Sequence, residues 1–320
     1  MAVTTGRRPV VVALRALGLG DLCTAVPALR ALRGAHPGCS LVLAAPAWQA
    51  ALAGGAGVDE VVGVGELEPL PRHLRRAEVA VNLHGRGPRS TRLLERLDPD
   101  RLLAFRHPDL PATAGSPEWR ADEHEVHRWC RMLEGHGVPA DPRDLHLPDP
   151  GPPPEGTAGA AVVHPGAAAA GRRWPADRFA EVVAALCRDG RQVVLTGSLA
   201  EAPLCREVAE LAAAEVPGQV RVLAGRTTVV ELAALVAAAS VVVCNDTGVA
   251  HLASAHRTPS VVLFGPTPPS AWGPPGDGPH VALWAGGIGD PHAARTDPGL
   301  LRITPADVLG AVTDVAGART

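Results

Sequence analysis

Short apolar runs rich in β-branched residues alternate with helix-like stretches along the whole chain. In the first half, Val10 to Leu14, Ser40 to Ala44, Glu60 to Val64 and Glu78 to Leu83 predict strands, while Thr24 to Arg33, Ala47 to Ala53 and Arg89 to Leu97 predict helices. Beyond residue 156 the alternation restarts, with strands over 160–164, 192–196, 220–223, 241–243 and 260–264 and helices over 175–189, 200–214, 229–239 and 249–255. A Thr304-Pro305-Ala306-Asp307 capping pattern opens a last helix through about Ala316. Such alternation predicts βαβ units and parallel sheets. Between the halves, Leu147 to Gly156 reads Leu-Pro-Asp-Pro-Gly-Pro-Pro-Pro-Glu-Gly, a linker that forms neither helix nor central strand because proline lacks the N–H both require. This α/β chain is therefore expected to hold two doubly wound, Rossmann-like domains at residues 1–150 and 157–303, with a C-terminal helix at 304–320. Two such domains facing one another leave a central cleft, a preferred place for a ligand.

The 320 residues suffice for two domains with cores of their own, and 46% hydrophobic with 20% charged residues fits an ordered globular chain. A net charge of −3 leaves no overall basic footprint and argues against nucleic acid as a partner. All 30 basic residues are arginine, so a role that lysine fills elsewhere falls here to a planar, forked cation. Cys23, Cys39, Cys130, Cys187, Cys205 and Cys244 form no C-x-x-C pair and read as buried thiols of a reducing compartment. Met1 to Pro9 is short and polar, and Arg15 interrupts the apolar run that follows. No signal peptide and no stable membrane insertion are expected, and the expected location is cytoplasmic.

Polar residues gather where the expected strands stop. Val241 to Val243 leads into Asn245-Asp246-Thr247-Gly248 and a helix start, whose free N–H groups and partial positive charge favour a phosphate, with Thr247 and His251 as further donors. The same cluster also caps helices in proteins that bind nothing. Ser260 to Phe264 ends in Gly265-Pro266-Thr267 at the same sheet edge, so these two adjacent strand ends are expected to shape one crevice. The loop Pro165-Gly166-Ala167-Ala168-Ala169-Ala170-Gly171-Arg172-Arg173 reads as a flexible segment whose arginines suit a diphosphate, since guanidinium grips phosphate through paired hydrogen bonds. Thr196-Gly197-Ser198 lies on the same rim, as a ligand contact or as an ordinary turn.

In the first half, Val10 to Leu14 leads into Arg15-Ala16-Leu17-Gly18-Leu19-Gly20-Asp21 and a helix with Pro27 in an early turn. Gly18 and Gly20 let the backbone approach a ligand, and Asp21 can accept a proton from an alcohol or cap the helix. A dinucleotide loop does not fit, because G-x-G-x-x-G needs glycine where Cys23 stands. Asn82-Leu83-His84-Gly85-Arg86 ends another strand of the first half and places His84 and Arg86 at that strand's end. His124, His127 and Cys130 stand three apart and raise the question of zinc, but H-E-x-x-H is missing and no metal is expected.

Taken in order, Leu-Gly-Leu-Gly-Asp-Leu-Cys-Thr-Ala-Val-Pro from Leu17, Val-Asn-Leu-His-Gly from Val81, His-Pro-Gly-Ala from His164 with Arg-Arg-Trp-Pro from Arg172, Val-Val-Leu-Thr-Gly-Ser from Val193, and Asn-Asp-Thr-Gly-Val-Ala-His-Leu-Ala from Asn245 with Phe-Gly-Pro-Thr from Phe264 resemble glycosyltransferase family 9, the ADP-heptose:lipopolysaccharide heptosyltransferases. The resemblance implies the two-domain GT-B architecture and transfer of a sugar from a nucleotide donor with inversion and without a required metal or other cofactor. It implies that Asp21 is the general base, with Gly20, His84 and Arg86 on the acceptor side. Arg172, where the family usually has lysine, would hold the donor diphosphate, alongside Asp246, Thr247, Gly248, His251, Gly166 and Gly197. The loop after Gly166 is all alanine where relatives often carry hydroxyls, which leaves the donor nucleotide and sugar open. The implied partners are a nucleotide sugar and a glycan, lipid-linked or metabolite acceptor. A nucleotide-sugar epimerase of the same fold and a non-catalytic nucleotide-binding relative stand as alternatives.

Overall fold

A computed structural model describes residues 8–216 and 218–317. The stretch before Arg8 and residues 318–320 of the expected last helix lie outside the described residues. The chain divides into two compact units at Leu145/His146, ahead of the proline-rich run. That run is fastened to the second unit: the Leu147 N–H donates to the Ala255 carbonyl at 3.2 Å, and Arg221 donates to the Glu155 carbonyl at 2.6 Å.

The first unit contains β1 (Val10–Leu14), α1 (Leu19–Ala35), β2 (Ser40–Ala45), α2 (Ala50–Ala53), β3 (Glu60–Gly63), β4 (Val79–Asn82), α3 (Arg89–Glu95), β5 (Arg101–Leu103) and α4 (Glu125–Glu134). Its five strands form a parallel sheet in the order β3-β2-β1-β4-β5. Val12 of β1 faces Val42 on one side and Ala80 on the other, and this burial on all sides explains the unbroken apolar run. Helix α1 begins at Leu19, ahead of the expected Thr24, because the Asp21 carboxylate accepts the Gly18 N–H at 3.1 Å and closes the first turn. Pro27 therefore sits inside the helix rather than in an early turn, where it leaves the Cys23 carbonyl without its helical donor.

The second unit contains β6 (Ala161–His164), α5 (Ala176–Arg188), β7 (Val193–Leu195), α6 (Ala202–Ala213), β8 (Val220–Val222), α7 (Val229–Ala237), β9 (Val241–Asn245), α8 (Gly248–Ala255), β10 (Ser260–Phe264), α9 (Pro269–Trp272), β11 (His280–Trp284), α10 (Pro298–Arg302) and α11 (Pro305–Gly317). Its six parallel strands run β11-β10-β9-β6-β7-β8. The sequence reading did not anticipate β5 and β11. Both are half-exposed edge strands. Helix α11 buries Val308, Val312 and Val315 against Val261 and Leu263 of β10, so it completes this core rather than standing apart.

Both sheets follow one plan. The strand order reverses between β1 and β4 in the first and between β6 and β9 in the second. Connections leave opposite faces on the two sides of a reversal, which opens a crevice at the carboxyl ends of the flanking strands. The second crevice is therefore framed by the loops after β6 and β9. The β9 and β10 ends are neighbours, as expected, on one side of that reversal.

Trp174 anchors the loop after β6. It is 1% exposed, its ring meets Phe179 edge-on at 5.0 Å, and its indole N–H donates to the Ile303 carbonyl at 3.1 Å. Trp174→Ala is expected to lower unfolding free energy by about 3–5 kcal/mol in denaturant titration, and Trp174→Phe by much less, since most of the apolar volume is kept.

Candidate functional site

In the first unit, Arg15 is the residue on which the crevice is built. It follows β1, is 1% exposed, and spends its donors on four residues, Asp21, Thr24, Leu83 and Glu125. Its Nε donates to the Asp21 carbonyl at 2.7 Å, one terminal nitrogen to the Leu83 carbonyl, and the other to Asp21 Oδ1 at 3.0 Å and Glu125 Oε1 at 2.9 Å. The guanidinium also lies 4.9 Å from the centre of the Trp129 ring. A buried cation persists only when paired in this way. Glu125 is in turn held by Arg128 and by the Trp129 indole N–H at 2.9 Å. Burial pushes the Glu125 carboxyl up, but the Arg15 and Arg128 charges outweigh it and hold the group below the usual carboxylate range. Neither Arg15 nor Glu125 was expected from the sequence; the signal available was an arginine closing an otherwise apolar strand.

Asp21 thus does two jobs. It caps α1 through Gly18 and pairs with Arg15, and its side chain is 25% exposed at the carboxyl edge of β1. The reading as cap is met by the Gly18 bond, and the partial exposure leaves the carboxylate open to solvent. His84 lies beside it: its Nδ1 accepts the Ala16 N–H at 3.2 Å, and burial, then Arg15, lowers its pKa. Arg86 is exposed and, with Arg106, Glu118 and Trp119, lines a hollow of about 310 Å³.

In the second unit, Asn245 at the end of β9 rivets the two crevice loops together. Its amide donates to the Pro165 and Gly166 carbonyls at 2.9 and 3.2 Å and its oxygen accepts the Trp174 N–H at 3.1 Å. The Gly171 N–H adds a bond to the Ala293 carbonyl at 2.8 Å, and Arg173 closes onto the Ala167 carbonyl at 2.8 Å. The loop expected to be flexible is pinned at both ends.

Arg172 lies within 4.0 Å of Asp246 Oδ2 and 3.4 Å of the Asp246 carbonyl. Burial raises the Asp246 pKa from 3.8 to about 6 against the pull of Arg172. Thr247 is the cap residue of α8, yet its hydroxyl makes no capping bond; its Oγ1 and the Nε of Arg172 are buried without a partner among the described residues. Gly248 opens α8, and His251, one turn on, meets Trp272 edge-on at 5.8 Å. Gly166 and Gly197 also make room for neighbouring side chains. A Cβ on Gly166 would lie 2.1 Å from Glu201 Oε1, and one on Gly197 would lie 3.1 Å from Cys205 Sγ, so protein already fills that space. Glu201 is fixed there by the Ser198 N–H and hydroxyl, each at 2.8 Å.

The histidines considered for zinc do not converge with Cys130. His124 caps α4, accepting the Val126 N–H at 3.3 Å, while Cys130 is buried and burial drives its thiol pKa up to about 12. All six cysteines are buried and free.

Curated relatives match parts of the chain. Lipopolysaccharide heptosyltransferase 2 of Salmonella typhimurium is 37% identical over 98 residues, 31% of this chain and 28% of that protein. Lipopolysaccharide heptosyltransferase 3 of Escherichia coli is 32% identical over 157 residues, 48% of this chain and 45% of that protein. The matches thus span less than half the length of these relatives. The fold extends further: the structure of E. coli ADP-heptose lipopolysaccharide heptosyltransferase II superposes with a TM-score of 0.79 at 23% identity, covering 97% of this chain and 99% of that one, and places the two parallel-sheet units in the GT-B class. The family model for glycosyltransferase family 9 (heptosyltransferase) matches residues 97–285, more than half of the chain, and the protein belongs to that family.

Proposed function

We infer that the protein is an inverting, metal-independent glycosyltransferase that moves a heptose-like sugar from an ADP-sugar, or a related nucleotide sugar, to a hydroxyl of a glycan, lipid-linked or metabolite acceptor. The observation that carries this reading is the pair of orphaned donors at the second crevice. Arg172 Nε and Thr247 Oγ1 are buried without partners beside the start of α8, and a buried donor left unmade costs stability unless a ligand completes it. A diphosphate offers the acceptor oxygens both atoms lack, at a helix start that favours negative charge.

The chemistry follows from these positions. The acceptor hydroxyl gives its proton to Asp21 as its oxygen bonds the anomeric carbon, and the bond from that carbon to the diphosphate breaks. One displacement without a covalent sugar–protein intermediate inverts the configuration. Charge growing on the departing diphosphate is met by Arg172, Thr247 and the α8 amides, fixed donors that need no reorganisation. The ADP assignment draws on the printed names of the relatives and on the family; the acceptor is set by neither crevice.

Thermal shifts across ADP, UDP, GDP and dTDP test the donor. ADP at 100 times its dissociation constant is expected to add about 2.7 kcal/mol of stability. Asp21→Asn is expected to keep that shift and lose transfer by about 10²- to 10⁴-fold, while Arg172→Ala loses the shift. Stabilisation by none of the nucleotides contradicts the reading.

Asp246 gives a pH signature. Its folded pKa, about 6, lies above the unfolded 3.8, so between these values the folded state binds the extra proton and stability falls as pH rises. Asp246→Asn removes that loss. Its stability relative to the parent is expected to climb from pH 4 to 6 and then level off, as read from urea melts. A nearby diphosphate raises the carboxyl further, so ADP binding near pH 7 is expected to take up protons, measurable by calorimetry in buffers of different ionisation enthalpy.

A further inference from the structure

His36, Cys39 and Glu78 converge at the amino edge of the first sheet, opposite the edge that carries Asp21. His36 caps the carboxyl end of α1, Cys39 stands one residue before β2, and Glu78 stands one residue before β4. Their backbones are fixed from both sides of β1: the Ser40 N–H donates to the Pro9 carbonyl at 2.8 Å, and the Glu78 N–H donates to the Val10 carbonyl at 2.9 Å. The His36-Pro37-Gly38-Cys39 turn closes through the Cys39 N–H, which donates to the His36 carbonyl at 3.1 Å. One ligand atom from each of the three side chains lies within 4.8 Å of the other two.

The three groups satisfy one another poorly. The buried Cys39 thiol, a weak donor, reaches Glu78 Oε2 at 3.5 Å, and His36 Nδ1 lies 3.9 Å from Glu78 Oε1, beyond a hydrogen bond. The other ring nitrogen, His36 Nε2, is buried without a partner among the described residues. No arginine pairs with Glu78 among the described residues. Arg33 is committed to Asp59 and to the Cys39 and Gly57 carbonyls, and Arg8, the other cation near Cys39, is exposed.

We propose that His36, Cys39 and Glu78 bind a divalent cation of the zinc class. Imidazole, thiolate and carboxylate together are a donor set for zinc, whereas magnesium and calcium take oxygen ligands. With zinc–ligand bonds of 2.0–2.3 Å, tetrahedral ligands stand about 3.3–3.8 Å apart, so small side-chain rotations bring these three groups onto one ion. As the sulfur–metal bond forms, the Cys39 thiol gives its proton to solvent. The thiolate and the Glu78 carboxylate then cancel the charge of the cation, and the carboxyl end of α1 adds partial negative charge beside it. Glu78, its side chain 42% exposed, leaves the site open to solvent, so water takes the fourth position. The bound cation fastens the end of α1 to the starts of β2 and β4. Because it sits at the sheet edge opposite Asp21, it takes no part in sugar transfer. The proposal goes beyond the transferase reading and does not depend on it.

The test is titration of the full chain with cobalt and then zinc, after stripping with EDTA and exchange into chelator-free reducing buffer. Cobalt is expected to bind as a single equivalent and to develop a thiolate-to-metal charge-transfer band in the near ultraviolet, which zinc then bleaches. Cys39→Ser is expected to abolish that band. Glu78→Gln, a change of equal size at a partly exposed side chain, is expected to keep the band and weaken affinity by about 10- to 100-fold, while the melting temperature of the metal-free variant matches the parent. His127→Gln, at an exposed histidine of α4, is expected to change neither. A parent that shows no charge-transfer band, a band that survives Cys39→Ser, or undiminished affinity in Glu78→Gln overturns the proposal.

Discussion

The reversal of strand order in each parallel sheet is the constraint from which the rest follows. Neighbouring connections are forced to opposite faces beside β1 and again beside β6, and each reversal leaves the ends of two buried strands uncovered. Backbone groups there have no further strand to bond, so polar side chains and helix starts collect at these points. Asp21 and His84 stand at the first; Arg172, Asp246 and Thr247 stand at the second. The chemistry sits where the sheet cannot close over itself.

Two interior residues convert those gaps into fixed geometry. Arg15, buried beneath the first, draws Asp21, Glu125 and the Leu83 carbonyl onto one planar cation, so β1, α1, β4 and α4 meet at a single group. Removing one partner of such a buried pair costs far more than a surface ion pair, because it strands the remaining charge. Asn245 does the equivalent work beneath the second with a neutral amide, tying the loop after β6 to the end of β9. The two crevices differ in where the cation sits: Arg15 lies buried beneath the first, while Arg172 in the second is partly exposed.

Much of this was legible in the sequence. Asp21, Arg172, Thr247 and His251 could be singled out because each follows an apolar run that ends in glycine or a capping residue. The supporting residues could not. Arg15 meets Glu125 110 positions away and Asn245 meets Pro165 80 positions away, and no local pattern encodes such a partner. Glu201 and Cys205, which lie where a Cβ on Gly166 and on Gly197 would fall, were equally hidden. Strand order was likewise hidden: the ends of β6, β9 and β10 could be placed on one rim, but not the reversal between β6 and β9.

The central claim is that the second reversal holds a diphosphate on Arg172, Thr247 and the start of α8. A crystal structure of the protein with ADP tests it most directly. The account predicts phosphate oxygens within hydrogen-bond distance of Thr247 Oγ1, the Arg172 guanidinium and the first amides of α8. ADP bound elsewhere, with Thr247 Oγ1 still unpartnered, would contradict it.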